Sequence, residues 1–360
     1  MKSENRALTV LLIIITIILT GAFFQKAAKV LVPLVVSIYL AFLLGPLVTI
    51  SHKLKIPQWL SIMLIVLIIL TVGYLVGIII ISSFQAFINE LPKYSEKFAA
   101  IYDQLAAYIN GKLGYEIDFL SGVDWLATVR SYVGVISSGL VTLTSSIFLV
   151  MLYLIFILLE RNFFPIKINK AFSGKALRRV TIIMEHINRD IGKYIRIKTF
   201  ISLGTGFLIW IVLSILGVDF AFVWGVLAVM FNFIPNIGSI LIVVLIILMS
   251  LVQFFPSIGI VVLTGILCTV IQLVMGNFLD PRLQGAKLNL SPLLILVSLL
   301  IWGWIWGIVG MFLAVPLTVT IKIICANISS LKPVSIMMGV GGGKLKKSSK
   351  GLFVRKRKPS

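Results

Sequence analysis

Long apolar runs, separated by short segments with charge, proline or glycine, dominate this chain. Six of them have about the length of one membrane-spanning helix, which needs about 20 apolar residues. These runs are 7–24, 30–50, 60–82, 140–159, 199–217 and 257–275. We therefore predict an all-α polytopic membrane protein, because a chain inside a bilayer must satisfy its own backbone hydrogen bonds.

Two further runs are too long for one crossing and too short for two. The run 220–252 is interrupted by the segment 231–238, and the run 291–321 is interrupted by the segment 302–310. Each run fits two half-spans and a turn. We predict two re-entrant hairpins that enter from opposite faces, with two long kinked spans as the alternative. Together with the plain spans, this makes about eight hydrophobic units.

The charged residues set the predicted orientation. The chain is 59% hydrophobic with a net charge of +20. The connector 84–139 has four Lys and Arg against six Asp and Glu, whereas the connector 160–198 has ten against three. Because basic residues accumulate in cytoplasmic loops, we place 160–198 and both termini in the cytoplasm. The basic loop and the tail are expected to contact anionic lipid rather than nucleic acid.

The predicted elements divide the chain into three parts. Residues 1–198 form a membrane scaffold of four spans, 199–330 form a transport portion with inverted-repeat-like span-plus-hairpin units, and 331–360 form a basic disordered tail. Broken helices in inverted repeats are typical of secondary transporters, whose solute sites lie at the breaks. Asp219, just before the first broken run, is expected to be a helix N-cap.

The external connector 84–139 contains an amphipathic segment. Apolar residues recur at three- and four-residue steps from Phe84 to Ile109, which predicts a helix that is bent or interrupted at Pro92. A second helix is expected to begin with a capping box at 121–124. This segment either packs between subunits and covers an entrance, or lies on the membrane surface.

The first break carries amides next to residues that end helices. Pro235 lacks a backbone donor and Gly238 permits a turn. Asn232 and Asn236 can donate to and accept from a polar solute. We predict that all four residues contribute to a substrate-binding site.

The second break contains Gly303, Gly307 and Gly310, which allow close backbone approach. We include them in the predicted site because the two breaks are expected to meet near the membrane midplane. The three tryptophans between 302 and 306 are interpreted as interfacial anchors, with a sugar-stacking surface as the alternative.

Asp280 and Gln284 follow the span 257–275 and are expected near the cytoplasmic mouth of the site. A carboxylate near the membrane is a functional candidate; the alternative is a loop Asp that begins a proline turn. The two histidines are isolated and no cysteine pair has metal-ligand spacing. Because no nucleotide motif or catalytic set is present either, we expect no metal, no cofactor and no enzymatic activity.

The motifs of the last third occur in an order that resembles the autoinducer-2 exporter family of bacterial membrane proteins. They read Asn232-Phe-Ile-Pro-Asn-Ile-Gly238, Asp280-Pro-Arg-Leu-Gln-Gly285, Leu290-Ser-Pro292, Trp306-Gly-Ile-Val-Gly310 and Val315-Pro316-Leu317. Asn236 departs from the family, where an aromatic residue is common, so the solute preference can differ. The resemblance implies a permease of the bacterial inner membrane and a homo-oligomer such as a pentamer. Some members export autoinducer-2, and others act in sodium(lithium)/proton antiport or sporulation.

We therefore predict a transporter that exports a small polar metabolite, such as a quorum-signal-type molecule, through a site at the two broken helices. The scarcity of ionisable residues in the apolar runs favours a polar solute over a chain of proton-relaying carboxylates. One alternative is a sodium(lithium)/proton antiporter that uses Asp280. The other is a membrane scaffold protein that transports nothing.

Overall fold

The computed structural model describes residues 2–113, 146–284 and 289–340, which are almost entirely helical and contain no strand. The helices are α1 (Lys2–Lys26), α2 (Ala28–Lys53), α3 (Gln58–Leu113), α4 (Ser146–Glu160), α5 (Phe164–Ala171), α6 (Gly174–His186), α7 (Gly192–Ile215), α8 (Ala221–Phe231), α9 (Ile237–Phe254), α10 (Ile258–Gln272), α11 (Asp280–Gln284), α12 (Pro292–Asn327) and α13 (Lys332–Met337). Within these ranges, six helical stretches are long and apolar enough to cross a membrane, or seven if the bent pair α4–α5 is one span. The prediction of an all-α polytopic membrane protein is confirmed.

Helix α3 is continuous over 56 residues, which corresponds to about 84 Å along its axis at 1.5 Å per residue. It combines the third predicted span with the first part of the external amphipathic segment; the remainder, 114–139, lies outside the described residues. Of the two predicted outcomes at Pro92, a bend or an interruption, the interruption is wrong, because the helix continues through this residue. Pro92 is exposed, so solvent can bond the carbonyl group that a proline leaves free.

A continuous helix leads from the predicted basic loop into the fifth span. It consists of α6, a π-helical turn at Ile187–Ile191 and α7. The predicted loop 160–198 is thus mostly helical, and its last residue, Lys198, is buried with 4% exposure. The exposed basic side chains of α5 and α6 mark one side of the protein, which we call the basic face. The opposite end of α7 marks the far face.

The first broken run enters and leaves by the far face. The chain runs back along α8, turns at 232–236 and continues as α9. Gln253, near the end of α9, donates from Nε2 to the Gly217 carbonyl at 2.8 Å and accepts the Asp219 N–H at 2.8 Å. Both ends of the run therefore lie side by side. The run is a re-entrant hairpin, here hairpin 1, and not a kinked span.

The prediction that Asp219 caps α8 is wrong. The residue before α8 is Phe220 at φ +58°, and it makes no side-chain cap. The Asp219 carboxylate accepts the Tyr94 hydroxyl at 2.7 Å instead. Lys97 also donates to the Gln253 carbonyl. Helix α3 is thus fastened to both ends of hairpin 1 at the far face.

The second broken run, α12, enters and leaves by the basic face. Its backbone leaves the helical region at Trp306 (φ −124°) and Gly307 (φ +62°), which divides it into two arms. Lys322 in the second arm donates to the Asn289 carbonyl, just before the first arm. The chain next to Asn289 packs against the first turn of α7. This hairpin 2 therefore opens about 36 Å from the base of hairpin 1, at the other end of the 24-residue α7.

The start of the tail differs from the prediction of disorder from 331 onwards. Residues 332–337 form α13. The Met338 carbonyl accepts the Ser291 N–H at 3.2 Å, which holds this helix against the base of hairpin 2. The residues after 340 lie outside the described part of the chain.

Each hairpin turns around a glycine that touches a backbone carbonyl, and this contact can be tested. A Cβ at Gly238 would overlap the Phe231 carbonyl, and a Cβ at Gly310 would overlap the Trp302 carbonyl. We expect Gly238→Ala and Gly310→Ala each to destabilise the protein by about 1–3 kcal/mol, measured by thermal unfolding in detergent. Gly259→Ala is the matched control, because a Cβ there meets no atom within 4 Å. Equal unfolding temperatures for the three variants would contradict the tight turns.

Candidate functional site

A cavity of about 180 Å³ lies between the turn of hairpin 1 and the basic face. Its walls come from α7, hairpin 1, the end of α10 with α11, and α12. The lining residues are Tyr194, Lys198, Asn232, Ile234, Pro235, Asn236, Ser239, Gly276, Asn277, Asp280, Gln284, Ile295 and Val315. Five of the residues predicted from the sequence are together here, namely Asn232, Pro235, Asn236, Asp280 and Gln284.

The turn of hairpin 1 is built from residues that do not continue a helix. Pro235 has no backbone donor. Asn236 lies at φ +62° and ψ −52°, and across it the Ile237 N–H donates to the Pro235 carbonyl at 2.7 Å, as in a γ-turn. Gly238 packs behind the turn against the Phe231 carbonyl and shapes it without lining the cavity. The turn therefore holds Asn236 at the cavity wall.

Asn232 ties this turn to α7. Its Nδ2 donates to Ser202 Oγ at 2.9 Å, and both residues are buried. A buried amide that lost this partner would cost about 1–3 kcal/mol. Asn232 thus positions the turn as well as lining the cavity.

A buried ion pair lies at the side of the cavity nearest the basic face. Lys198 Nζ is 2.8 Å from Asp280 Oδ2, and the two side chains are 6% and 15% exposed. Gln284 donates from Nε2 to the other carboxylate oxygen of Asp280. Opposite charges attract strongly where the dielectric constant is low, and either charge alone would carry a large desolvation cost. The pair keeps the cavity polar while its charges compensate each other.

Lys198 was not predicted from the sequence, because the charge pattern assigned it to the basic loop. It lies one helical turn from Ser202 on the buried side of α7. Side chains four residues apart share one face of a helix. The sequence does contain a signal for these polar positions, namely two sets of polar or small residues that are spaced four apart. They are Tyr194, Lys198, Ser202 and Gly206 on α7, and Gln272, Gly276, Asp280 and Gln284 on α10–α11.

The glycines of the second break do not line the cavity. Gly303 and Gly310 pack against other atoms of hairpin 2, and Gly307 supplies the positive φ of its turn. The two breaks still meet, because Ile234 of the first shares an apolar cluster with Trp302 of the second. The contact between the breaks is therefore apolar, and Ile234 also lines the cavity beside the polar groups.

The three tryptophans of the second break occupy different environments. Trp304 is 66% exposed, so its side chain faces away from the protein, and its role as a membrane anchor stays a prediction. Trp306 is buried and donates from Nε1 to the Phe24 carbonyl at 3.0 Å, and Trp302 packs against it with ring centroids 5.1 Å apart. None of these three tryptophans is among the residues that line the cavity.

The chemistry available in the cavity is hydrogen bonding around one ion pair. Asn236 and Gln284 offer amides, and Ser239 offers a hydroxyl. In the ranges that the structure describes, no three His, Cys, Asp or Glu side chains form a group that could hold a metal ion.

Residues 11–330 match the family model described as AI-2E family transporter. The chain belongs to the AI-2E transporter family. The "AI-2 transport protein TqsA" of Escherichia coli is 32% identical to this AI-2E transporter over 339 residues, which cover 92% of this chain and 95% of the relative. A Borreliella burgdorferi protein named "Putative transport protein" is 39% identical over 329 residues, 91% of this chain and 89% of the relative.

A further relative of this AI-2E transporter is "Putative transport protein YhhT" of Escherichia coli. It is 30% identical over 345 residues, 94% of this chain and 97% of the relative. The resemblance carried by the sequence motifs is thus confirmed. The chain is a multi-pass membrane protein of a bacterial transporter family.

The stability of this AI-2E transporter should depend on its buried ion pair. Removing one partner leaves the other charge buried, so we expect Lys198→Met and Asp280→Leu each to destabilise the fold by about 3 kcal/mol. The double variant should recover most of this loss, because no unpaired charge remains. Thermal unfolding in detergent measures all three variants.

The exposed pair of Lys167 and Glu160 is the control, since its side chains are each 59% exposed. Glu160→Gln should change the free energy of unfolding by less than about 1 kcal/mol. If the losses of Lys198→Met and Asp280→Leu simply added in the double variant, the two side chains would not act as a pair.

Proposed function

We propose that this AI-2E transporter exports a small polar metabolite through the cavity under hairpin 1, by alternating access from the two faces of the membrane. The observation that carries the proposal is the cavity, where amides at the turn of hairpin 1 lie opposite a buried ion pair. Polar groups at membrane depth are costly and mark solute pathways. Membership of a transporter family supports the same conclusion.

The cavity favours an uncharged or weakly charged solute with several hydrogen-bonding groups. Asn236, Ser239 and Gln284 can donate and accept, whereas Lys198 and Asp280 neutralise each other. A volume of about 180 Å³ is below the range of roughly 300–1,000 Å³ for sites of drug-sized ligands. Autoinducer-2 is one candidate solute, because a relative is named AI-2 transport protein.

Hairpin 1 is proposed to be the barrier between the cavity and the far face. Its turn covers the cavity, and Tyr94 and Lys97 hold its two ends. Gly206 and Gly225 let α8 approach α7 closely, since a Cβ on either would overlap atoms of the other helix. Movement of the turn along α7, with release of the contacts to Tyr94 and Lys97, would open the cavity to the far face.

The basic face is proposed to lie in the cytoplasm, with the protein in the bacterial inner membrane and both termini inside. The exposed basic residues of this face are Lys167, Lys170, Lys175, Arg178 and Arg179. Such residues accumulate in cytoplasmic loops and are attracted to anionic lipid. The resemblance to the family supports a homo-oligomer as the assembled form.

Efflux from proteoliposomes tests the proposed transport. Vesicles with the purified protein are loaded with erythritol, glycerol or autoinducer-2, and the loss of solute is measured after dilution. We expect efflux of at least one solute above that of protein-free vesicles. Asn236→Gly should reduce the rate about tenfold, the effect of about one lost hydrogen bond. This variant keeps the positive φ of the turn, which glycine tolerates, and removes the amide.

Asn169→Gly, on the exposed side of α5, is the matched control and should leave efflux unchanged. Equal efflux from the native protein and from Asn236→Gly would remove the cavity from the pathway. Sodium–proton exchange by the native protein that is lost in Asp280→Asn would support the antiporter alternative instead.

A further inference from the structure

A second cavity adjoins the first between α9 and α10. Its volume is about 280 Å³, and Asn236, Ser239 and Asn277 line both cavities. The other residues that line the second cavity are Ile240, Val243, Val244, Thr269, Gln272 and Leu273. Beyond the shared residues, the wall is therefore mostly apolar.

Gln272 stands out in this wall because its amide has no hydrogen-bond partner. The residue is 6% exposed, and within the described residues both Nε2 and Oε1 are buried without a partner. Leaving a buried amide unpaired is costly, because it gave up its bonds to water. The Thr269 hydroxyl, by contrast, is occupied by a bond to the Gly265 carbonyl at 2.7 Å. Gln272 thus has donor and acceptor capacity that the protein does not use.

The position of Gln272 connects it to the ion pair of the first cavity. Gln272 and Asp280 are eight residues apart on one continuous helical stretch. Between them the chain is π-helical over Leu273–Leu279, and π-helical turns inside α-helices are frequent at functional sites. Asn277, in this stretch, lines both cavities. Polar groups therefore continue from Asp280 through Asn277 towards Gln272.

We propose that Gln272 forms a second binding subsite on the solute pathway, which receives a hydroxyl, carbonyl or amide group of the solute. This inference rests on the proposed transport function and extends the pathway from the first cavity into the space between α9 and α10. The amide of Gln272 can donate and accept a hydrogen bond at once. It therefore selects solutes that carry both a donor and an acceptor. A solute that brought only apolar groups to this subsite would leave the amide unpaired.

Thiol labelling tests the subsite without any transport assay. The free, buried Cys268 and Cys325 are first replaced by alanine. Gln272→Cys, Asn277→Cys and Ser250→Cys are then treated in detergent with a small methanethiosulfonate. Ser250 is the matched control, because it is also buried and unpartnered but lines neither cavity.

A solute pathway contains water, so a thiol at Gln272 should be accessible. Because thiol reaction rates follow exposure, we expect Gln272→Cys to react within about tenfold of Asn277→Cys and about 100-fold faster than Ser250→Cys. A rate for Gln272→Cys as low as that of Ser250→Cys would overturn the subsite.

Transport kinetics test whether the amide binds solute. For whichever of the three solutes the native protein carries in the efflux assay, Gln272→Leu should raise KM about tenfold, as expected for about one lost hydrogen bond. The maximal rate should change less. The unfolding temperature should not fall, because leucine removes an unpaired amide at similar volume. Ser250→Ala should leave both KM and the maximal rate unchanged. An unchanged KM in Gln272→Leu, or a loss explained by a lower unfolding temperature, would overturn the binding role.

The two tests separate this inference from the proposed function. A reactive Gln272→Cys in a protein that carries none of the solutes would count against transport while supporting a hydrated subsite. Slow labelling together with measurable efflux would reject the subsite and retain the transporter.

Discussion

Backbone groups inside a bilayer find no water, so the turn of hairpin 1 has to satisfy its hydrogen bonds within the protein. It does so locally, since the Gly238 N–H donates to the Ile234 carbonyl at 3.2 Å. The turn is also held to α7 by side chains, since Ser202 Oγ accepts a bond from Asn232 Nδ2. Irregular backbone can therefore persist far from either face, and the rest of the candidate site is arranged around it.

Charged groups in the site obey the same constraint. Lys198 and Asp280 come from helices that are far apart in the sequence, and each supplies the partner that the other requires at low dielectric. Their bond joins α7 to α11 beside the turn of hairpin 1. A solute that formed hydrogen bonds with Lys198 or Asp280 would weaken the ion pair between them. Under the proposed function, this gives a physical route from solute binding to movement of the hairpin.

The breaks could be predicted from the sequence because they are local features. Pro235 and Gly238 interrupt an apolar run whose length suits neither one crossing nor two, and the amides beside them lie at the cavity. Pro92 shows the limit of predicting breaks from proline and glycine positions, since an exposed proline does not interrupt α3. The length of the apolar run and its helix-breaking residues therefore located the turn of hairpin 1. The effect of an exposed proline on α3 was overestimated.

Residues whose burial depends on how the helices pack could not be located from local sequence features. Lys198 has basic neighbours in the sequence, and only the packing of α7 shows that it is buried. Gln272 lies within an apolar run that reads as a plain span. The second break was expected to line the site, but its glycines are used in shaping hairpin 2. Burial and orientation are set by neighbouring helices, which a local pattern does not contain.

The most direct test is the side of the membrane from which the two ends of hairpin 1 can be reached. Asp219→Cys and Ser257→Cys flank it, and Asn289→Cys precedes hairpin 2. Each is exposed to a membrane-impermeant maleimide in right-side-out and in inverted vesicles. We predict that Asp219→Cys and Ser257→Cys react from one side and Asn289→Cys from the other. If Asp219→Cys and Ser257→Cys reacted from opposite sides, the run between them would be a kinked span. That result would contradict the hairpin turn on which the cavity depends.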